Sequence, residues 1–125
     1  MFFSKNNPVD YRRYPRIPLS ARIHYTHQGY QQWNEALVRS VSTHGMGIYT
    51  EKRMQKGDQI LIALSLLTDD RESLHESILG EVTWAGTGDD KKRYTAGIFF
   101  GEIEEKHPKL YAYLKRLEAA VVAIP

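Results

Sequence analysis

Residues 40–48 read SVSTHGMGI and lie at the junction of two predicted strands. The Ser, Thr and Gly content of residues 42–47 is typical of a tight turn. The segment before it, 32–41, alternates between apolar and polar residues, and the segment after it, 46–51, continues as a short strand. Strands joined by so short a turn pair antiparallel, so this stretch predicts a hairpin in an all-β fold.

The alternation extends in both directions from this hairpin. The other predicted strands run from about residue 19 to the turn at Gly29, and over residues 58–67, 74–85 and 93–101. Residues 58–67, DQILIALSLL, are apolar on both faces, as expected of a buried strand. Six short antiparallel strands predict a closed or nearly closed β-barrel.

The strand predicted at residues 74–85 carries the aromatic residue Trp84, for which two positions are considered. Alternation places Trp84 on the same face as Ile78 and Val82, opposite Glu81 and Thr83. On that pattern, a core position for Trp84 is at least as well supported as a position in contact with a ligand.

The C-terminal residues change to a helical period. A stripe with spacings of four, three and four is formed by Leu110, Leu114, Leu117 and Val121. Pro108 fits the first helical turn, where its missing N–H is not needed. We therefore predict a helix over residues 104–122 that covers an open end or edge of the barrel.

Residues 1–18 have no periodicity, and three prolines disfavour helix there. They predict an extended, mobile arm. The whole chain is accordingly predicted to be one domain, residues 1–125. It is divided into the arm (1–18), an all-β barrel (19–103) and the C-terminal helix (104–122).

Composition excludes several classes of protein. With 125 residues, 42% of them hydrophobic and 26% charged, the chain has ordinary globular usage. No apolar run is long enough to span a membrane, and no secretory signal is present. His24 and His27 point to opposite faces of a strand, and no nucleophile elbow surrounds Ser42. We expect a cytoplasmic protein that is not an enzyme and has no metal or cofactor.

Positive charge is concentrated in the arm. Residues 1–30 contain five basic residues and one acidic residue, a net charge of +4, whereas the remainder has a net charge of −2. This distribution suits a small anionic ligand better than long nucleic acid, which usually meets a broad basic face. All three basic residues of the segment 11–16, YRRYPR, are arginines. The guanidinium fork of arginine binds phosphate and the edge of guanine.

The turn at residues 40–48 offers complementary groups. Ser40 and Ser42 supply hydroxyls that donate and accept, and Gly45 and Gly47 permit close approach to the backbone. An anion that contains guanine would use both the arm and the turn.

Together these segments resemble a known family, the PilZ domains. RRYPRIPL (12–19) and SVSTHGMGI (40–48) are similar to its Arg-x-x-x-Arg and Asp/Asn-x-Ser-x-x-Gly motifs, and GEVTW (80–84) and RYTAGIFFGEI (93–103) are similar to its late strands. The resemblance implies a six-stranded barrel with an N-terminal arm that binds the bacterial second messenger cyclic di-GMP. It implies ligand contacts from Arg12, Arg13, Arg16, Ser40, Ser42, Gly45 and Trp84.

One position departs from the family pattern: Ser40 replaces Asp or Asn. A hydroxyl accepts hydrogen bonds more weakly than a carboxylate, so weaker binding of the nucleotide is expected. The alternatives are a PilZ-like protein-interaction module with weak or no nucleotide binding and, less favoured, an arm that binds nucleic acid. The sequence leaves open the downstream protein partner, the number of nucleotides bound, and whether the protein is a monomer or a homodimer.

Overall fold

The computed structural model describes residues 17–67, 71, 73–88, 93–101 and 103–123, and the side chains of these ranges between residues 21 and 119. Its strands are β1 (Ile17–His27), β2 (Asn34–Val41), β3 (Gly45–Thr50), β4 (Gln59–Leu67), β5 (Ser73–Thr87) and β6 (Tyr94–Phe100). They are followed by helices α1 (Ile103–Lys106) and α2 (Pro108–Ala123). The predicted strands are confirmed, although β1 begins at a residue assigned to the arm.

The six strands form a closed antiparallel barrel in the order β1-β2-β3-β6-β5-β4. Pairing of β1 with β4, from His24 opposite Ala63 to His27 opposite Ile60, completes the ring. Closure satisfies the backbone hydrogen bonds that an open edge would leave exposed. The turns after β1 and before β4 contain Gly29 and Gly57, both with positive φ, a conformation that glycine adopts without steric cost.

Alternate residues of every strand fill the barrel interior. The most buried of these side chains are at most 1% exposed, and they include Ile23, Tyr25, Met46, Ile48, Ile60, Ile62, Ile78, Val82 and Ile98. On the outer face of β4, Leu61 and Ala63 are half-buried, while Leu67 is 67% exposed. The outer face of β4 is therefore less buried than its continuous apolar sequence predicts.

β-Bulges in β2 and β5 change the phase of the alternation. In β2, Val38 pairs with Ile48 but Ser40 pairs with Gly47, so Arg39 is an extra residue. The extra residue turns the following side chains to the opposite face. Ser40 consequently faces outward, and Val41, which pairs with Met46, is buried in the core.

The second bulge corrects the prediction for Trp84. In β5, Val82 pairs with Ile98, whereas Trp84 pairs with Gly97, which makes Thr83 the extra residue. The Thr83 hydroxyl donates a hydrogen bond to the Gly97 carbonyl at 3.3 Å. Trp84 therefore does not share the inward face of Val82, as simple alternation predicted, but lies on the outside of the barrel.

The C-terminal segment packs against the barrel through three residues of the predicted stripe, and the side chain of the fourth, Val121, lies outside the described part of the chain. Leu110 and Leu114 are each 1% exposed and belong to the core cluster, and Leu117 packs against it. The single predicted helix is divided at His107, because Pro108 disfavours helical geometry in the residue before it. In the described part of the chain, no helix is long and apolar enough to cross a membrane.

Candidate functional site

The two bulges bring four residues into one row across the outer face of the barrel. Ser40 of β2 pairs with Gly47 of β3, Gly47 pairs with Gly97 of β6, and Gly97 pairs with Trp84 of β5. Directly paired residues project to the same face of a sheet. The row is therefore an outward-facing floor of two glycines with a hydroxyl at one end and an indole at the other.

The indole of Trp84 lies directly over Gly97. A Cβ atom on Gly97 would meet the Trp84 Nε1 atom at 2.2 Å and its Cδ1 and Cε2 atoms at 2.7 Å. Real Cβ contacts are essentially never this short, so this position of the half-buried indole requires glycine at residue 97. A planar ring held against a bare strand provides an aromatic face at this end of the row.

Ser40 bounds the other end of the row. Its side-chain oxygen would lie 3.3 Å from a Cβ atom on Gly47, so the hydroxyl is close to the glycine floor. The residue is only 9% exposed. Among the described residues its hydroxyl has no hydrogen-bond partner, which leaves both its donor and its acceptor capacity for a bound molecule.

The turn between β2 and β3 is held by its own hydrogen bonds. The Ser42 amide donates to the Gly45 carbonyl at 2.8 Å, and the His44 amide donates to the Ser42 hydroxyl at 3.1 Å. The hydroxyl of Ser42, 1% exposed, also lies 3.5 Å from the Gly45 carbonyl. Ser42 and Gly45 thus fix the shape of the turn beside the row.

Residues 43 and 44 connect this turn to helix α2. The Thr43 hydroxyl donates to the Glu118 carboxylate at 3.3 Å and lies 3.0 Å from the His44 Nδ1 atom. Glu118 is 6% exposed, and its other carboxylate oxygen is 3.9 Å from the Lys115 ammonium. Burial lowers the pKa of His44, an effect that Glu118 opposes and Lys115 reinforces. The turn and the helix therefore share a buried polar contact.

A cationic cluster borders the row on the side away from the turn. Tyr49 lies two residues beyond Gly47 on the same outer face of β3. The guanidinium carbons of Arg39 and Arg93 lie 5.9 Å and 5.8 Å from the centre of its ring. Both distances are within the range of cation–π attraction.

A sequence model of the PilZ domain matches residues 10–117. The chain belongs to the PilZ domain family. This match covers most of the 125 residues and confirms the resemblance drawn from the two motifs. Among curated proteins, no sequence matches this PilZ domain.

Solved structures of PilZ proteins have the same fold. The inhibitor of motility MotI/DgrA from Bacillus subtilis superposes with a TM-score of 0.72 at 12% identity, over 90% of this chain and 52% of that one. The PilZ domain of YcgR from Escherichia coli, solved with c-di-GMP, has a TM-score of 0.59 at 15% identity, over 89% and 91%. The MrkH–c-di-GMP complex of K. pneumonia has a TM-score of 0.63 at 12% identity, over 89% and 52%. The chain thus spans about half the length of MotI/DgrA and of MrkH.

The predicted site residues of this PilZ domain are only partly within the described chain. Arg12, Arg13 and Arg16 lie outside the described residues. Ser40 and Trp84 lie in one row, at opposite ends of the glycine floor. Ser42 and Gly45 lie in the adjoining turn, where their polar groups bond to each other.

Sequence reasoning missed other members of this surface. A glycine inside a strand often marks the close approach of another group, so Gly97 carried a signal that could have been used. Arg39, Tyr49 and Arg93 carried none, because they come together only through strand pairing and the bulge in β2. Within the described residues, no group of three or more potential metal ligands is present.

Proposed function

We propose that this PilZ domain is a non-catalytic receptor for cyclic di-GMP. The observation that carries the proposal is the outward row Ser40–Gly47–Gly97–Trp84, next to the turn whose sequence resembles the family motif. The Trp84 indole provides an aromatic face against which guanine can stack, and the Ser40 hydroxyl can bond to a polar edge. YcgR and MrkH, which share this fold, have each been solved with c-di-GMP.

In this proposal the arm provides the positive charge that binds the ligand, and the turn forms part of the surface that lines it. Arg12 and Arg16 bind phosphate and the O6 and N7 edge of guanine, and Arg13 assists them. Ser40 bonds to the base, while Ser42 and Gly45 hold the turn that lines the ligand. The arm orders over the bound nucleotide and changes the surface presented to a downstream protein in motility, exopolysaccharide or biofilm control. We place this switch in the cytoplasm.

Calorimetric titration with cyclic di-GMP tests the proposal. We expect a dissociation constant on the order of micromolar or tighter, and loss of measurable binding in Arg12→Ala and Arg16→Ala. Arg53→Ala is the matched control, because this exposed arginine lies in the β3–β4 loop away from the row. Absence of heat with the wild-type protein would overturn the proposal. The same titration gives the number of nucleotides bound, and sizing with and without ligand gives the oligomeric state.

Ser40→Asp tests the assignment of the hydroxyl. A carboxylate can accept two hydrogen bonds from guanine N1 and N2, and a hydrogen bond to a charged group is worth about 1.5–3 kcal/mol. We therefore expect binding of cyclic di-GMP to tighten about tenfold to a hundredfold. An unchanged or weaker affinity would contradict contact between residue 40 and the base.

The substitution of Ser40 for an acid or amide also supports a second candidate function. A barrel with weakened nucleotide recognition could serve chiefly as a protein-interaction module. This alternative predicts that the wild type gives no heat with cyclic di-GMP and that Ser40→Asp restores binding. The receptor proposal predicts that both proteins bind.

A further inference from the structure

The cluster of Arg39, Tyr49 and Arg93 lies outside the residues that the family motifs assign. Arg39 is the bulged residue of β2, and Arg93 immediately precedes β6. Tyr49 is half-buried between them on β3, while both arginine side chains are exposed. Two guanidinium groups therefore share one aromatic ring on the outer face of the barrel.

This cluster is continuous with the glycine floor. The Arg39 Cδ atom would lie 4.0 Å from a Cβ atom on Gly47, so the stem of Arg39 lies against the floor itself. Tyr49 follows Gly47 by two residues, about 7 Å along the strand. The 42–45 turn and the cluster thus adjoin opposite sides of the row that joins Ser40 to Trp84.

The charge of Arg39 is not neutralised by any carboxylate of the described chain. Arg39 contacts the Tyr49 ring but has no carboxylate partner among the described residues. An aromatic ring attracts a guanidinium without neutralising it, and the planar N–H fork remains able to bind an oxyanion. Arg39 and Arg93 place two guanidinium groups beside the row, which suits a nucleotide that carries more than one phosphate.

We propose that Arg39 and Arg93 bind the phosphodiester of cyclic di-GMP that lies on the side of the row away from the 42–45 turn. This inference rests on the proposed function and extends it. The arm and Ser40 recognise one half of the dinucleotide, and the cluster recognises the other half. The cluster therefore distinguishes a cyclic dinucleotide from a guanine mononucleotide, which has no second phosphate to offer.

Tyr49 is a positioning residue in this arrangement. Its ring holds both guanidinium groups beside the row, so the ring and not the hydroxyl is the required part. Tyr49→Phe retains the ring and should leave the affinity for cyclic di-GMP within about twofold of wild type. Tyr49→Leu removes the ring and should weaken binding of cyclic di-GMP, because neither guanidinium group is then held beside the row.

The test compares calorimetric titrations of cyclic di-GMP and cyclic GMP. Arg39→Gln and Arg93→Gln should each weaken binding of cyclic di-GMP about tenfold, as expected for loss of a charge-assisted hydrogen bond. Arg53→Gln removes the same charge in the β3–β4 loop, outside the cluster, and should change the affinity less than twofold. Binding of cyclic GMP, measured at high protein concentration, should not differ among these variants.

The outcomes separate this inference from the proposed function. If the wild type binds cyclic di-GMP and Arg12→Ala abolishes binding, but Arg39→Gln and Arg93→Gln match Arg53→Gln, the cluster is not part of the site. If the cluster variants weaken cyclic GMP equally, they lack the proposed role in recognising the second half. If the wild type gives no heat, the receptor proposal fails as well. Circular dichroism spectra of the variants should match wild type, since both arginines are exposed.

Discussion

Replacement of Gly97 by alanine should displace the Trp84 indole. The new Cβ would start 2.2 Å from the Nε1 atom, whereas ordinary contact begins at 3.4 Å, so the ring must move by the difference between these distances. Overpacking of this kind costs about 1–3 kcal/mol. Replacement of a strand glycine by alanine stabilises the fold by about 0.5–1 kcal/mol. We therefore expect the free energy of unfolding to fall by up to about 2.5 kcal/mol in total.

Gly86→Ala is the matched control. It lies on the same strand as Trp84, and its new Cβ would meet only the Thr95 hydroxyl, at the ordinary distance of 3.7 Å. We therefore expect this variant to be as stable as wild type or more stable by about 0.5–1 kcal/mol. The contrast between the two variants isolates the effect of the indole.

Tryptophan emission and urea denaturation measure the two effects. Trp33, which is 47% exposed, is first replaced by phenylalanine, so that all tryptophan emission comes from Trp84. In this background Gly97→Ala should shift native emission to the red and increase quenching by acrylamide, and it should weaken binding of cyclic di-GMP. If emission, stability and affinity of Gly97→Ala all match those of Gly86→Ala, the indole does not lie over residue 97 and the described row is wrong.

The contact between the turn and helix α2 and the packing of that helix give three more predictions. Thr43→Val removes the donor to the buried Glu118 carboxylate and should cost about 1–3 kcal/mol in urea denaturation, whereas Thr43→Ser should retain most of that stability. Burial lowers the pKa of His44 from 6.5, so the folded state binds fewer protons there than the unfolded state. The free energy of unfolding should therefore fall as pH decreases below 6.5 until His44 protonates in the folded state, and denaturation of His44→Gln across this range should lack that component. Leu114→Ala should cost about 2–5 kcal/mol, because the side chain is 1% exposed in the core; a loss below 1 kcal/mol would contradict the packing of α2 against the barrel.

The barrel was predictable because most of its strands have one buried and one exposed face. Alternation around Ile23 and Tyr25 placed the first strand, and the spacing of Leu110 and Leu114 placed the helix; all four side chains are at most 1% exposed. Such patterns report burial, which acts on each residue through its own transfer free energy. They need no knowledge of which strand lies next to which.

The candidate site was less predictable because it depends on pairing between strands. The bulge at Thr83 inserts one residue, and alternation alone cannot detect such an insertion, so Trp84 was predicted on the wrong face. Ser40 and Trp84 lie in the same row only because three successive pairs of strands have the registers that they do. The motif at residues 40–48 identified the turn, but the surface beyond it emerged only from the paired barrel.

The paired glycines 47 and 97 have a consequence for how this surface can diversify. The floor consists of peptide groups, which are the same in every sequence and are already committed to the strand ladder. The side chains that differ in chemistry stand at the margin of the floor, in Ser40, Trp84 and the Arg39–Tyr49–Arg93 cluster. Under the proposed function, these side chains set the selectivity of the site. Substitutions at these positions can alter which molecule is held while the barrel beneath keeps its register, so ligand preference and folding can change independently of each other.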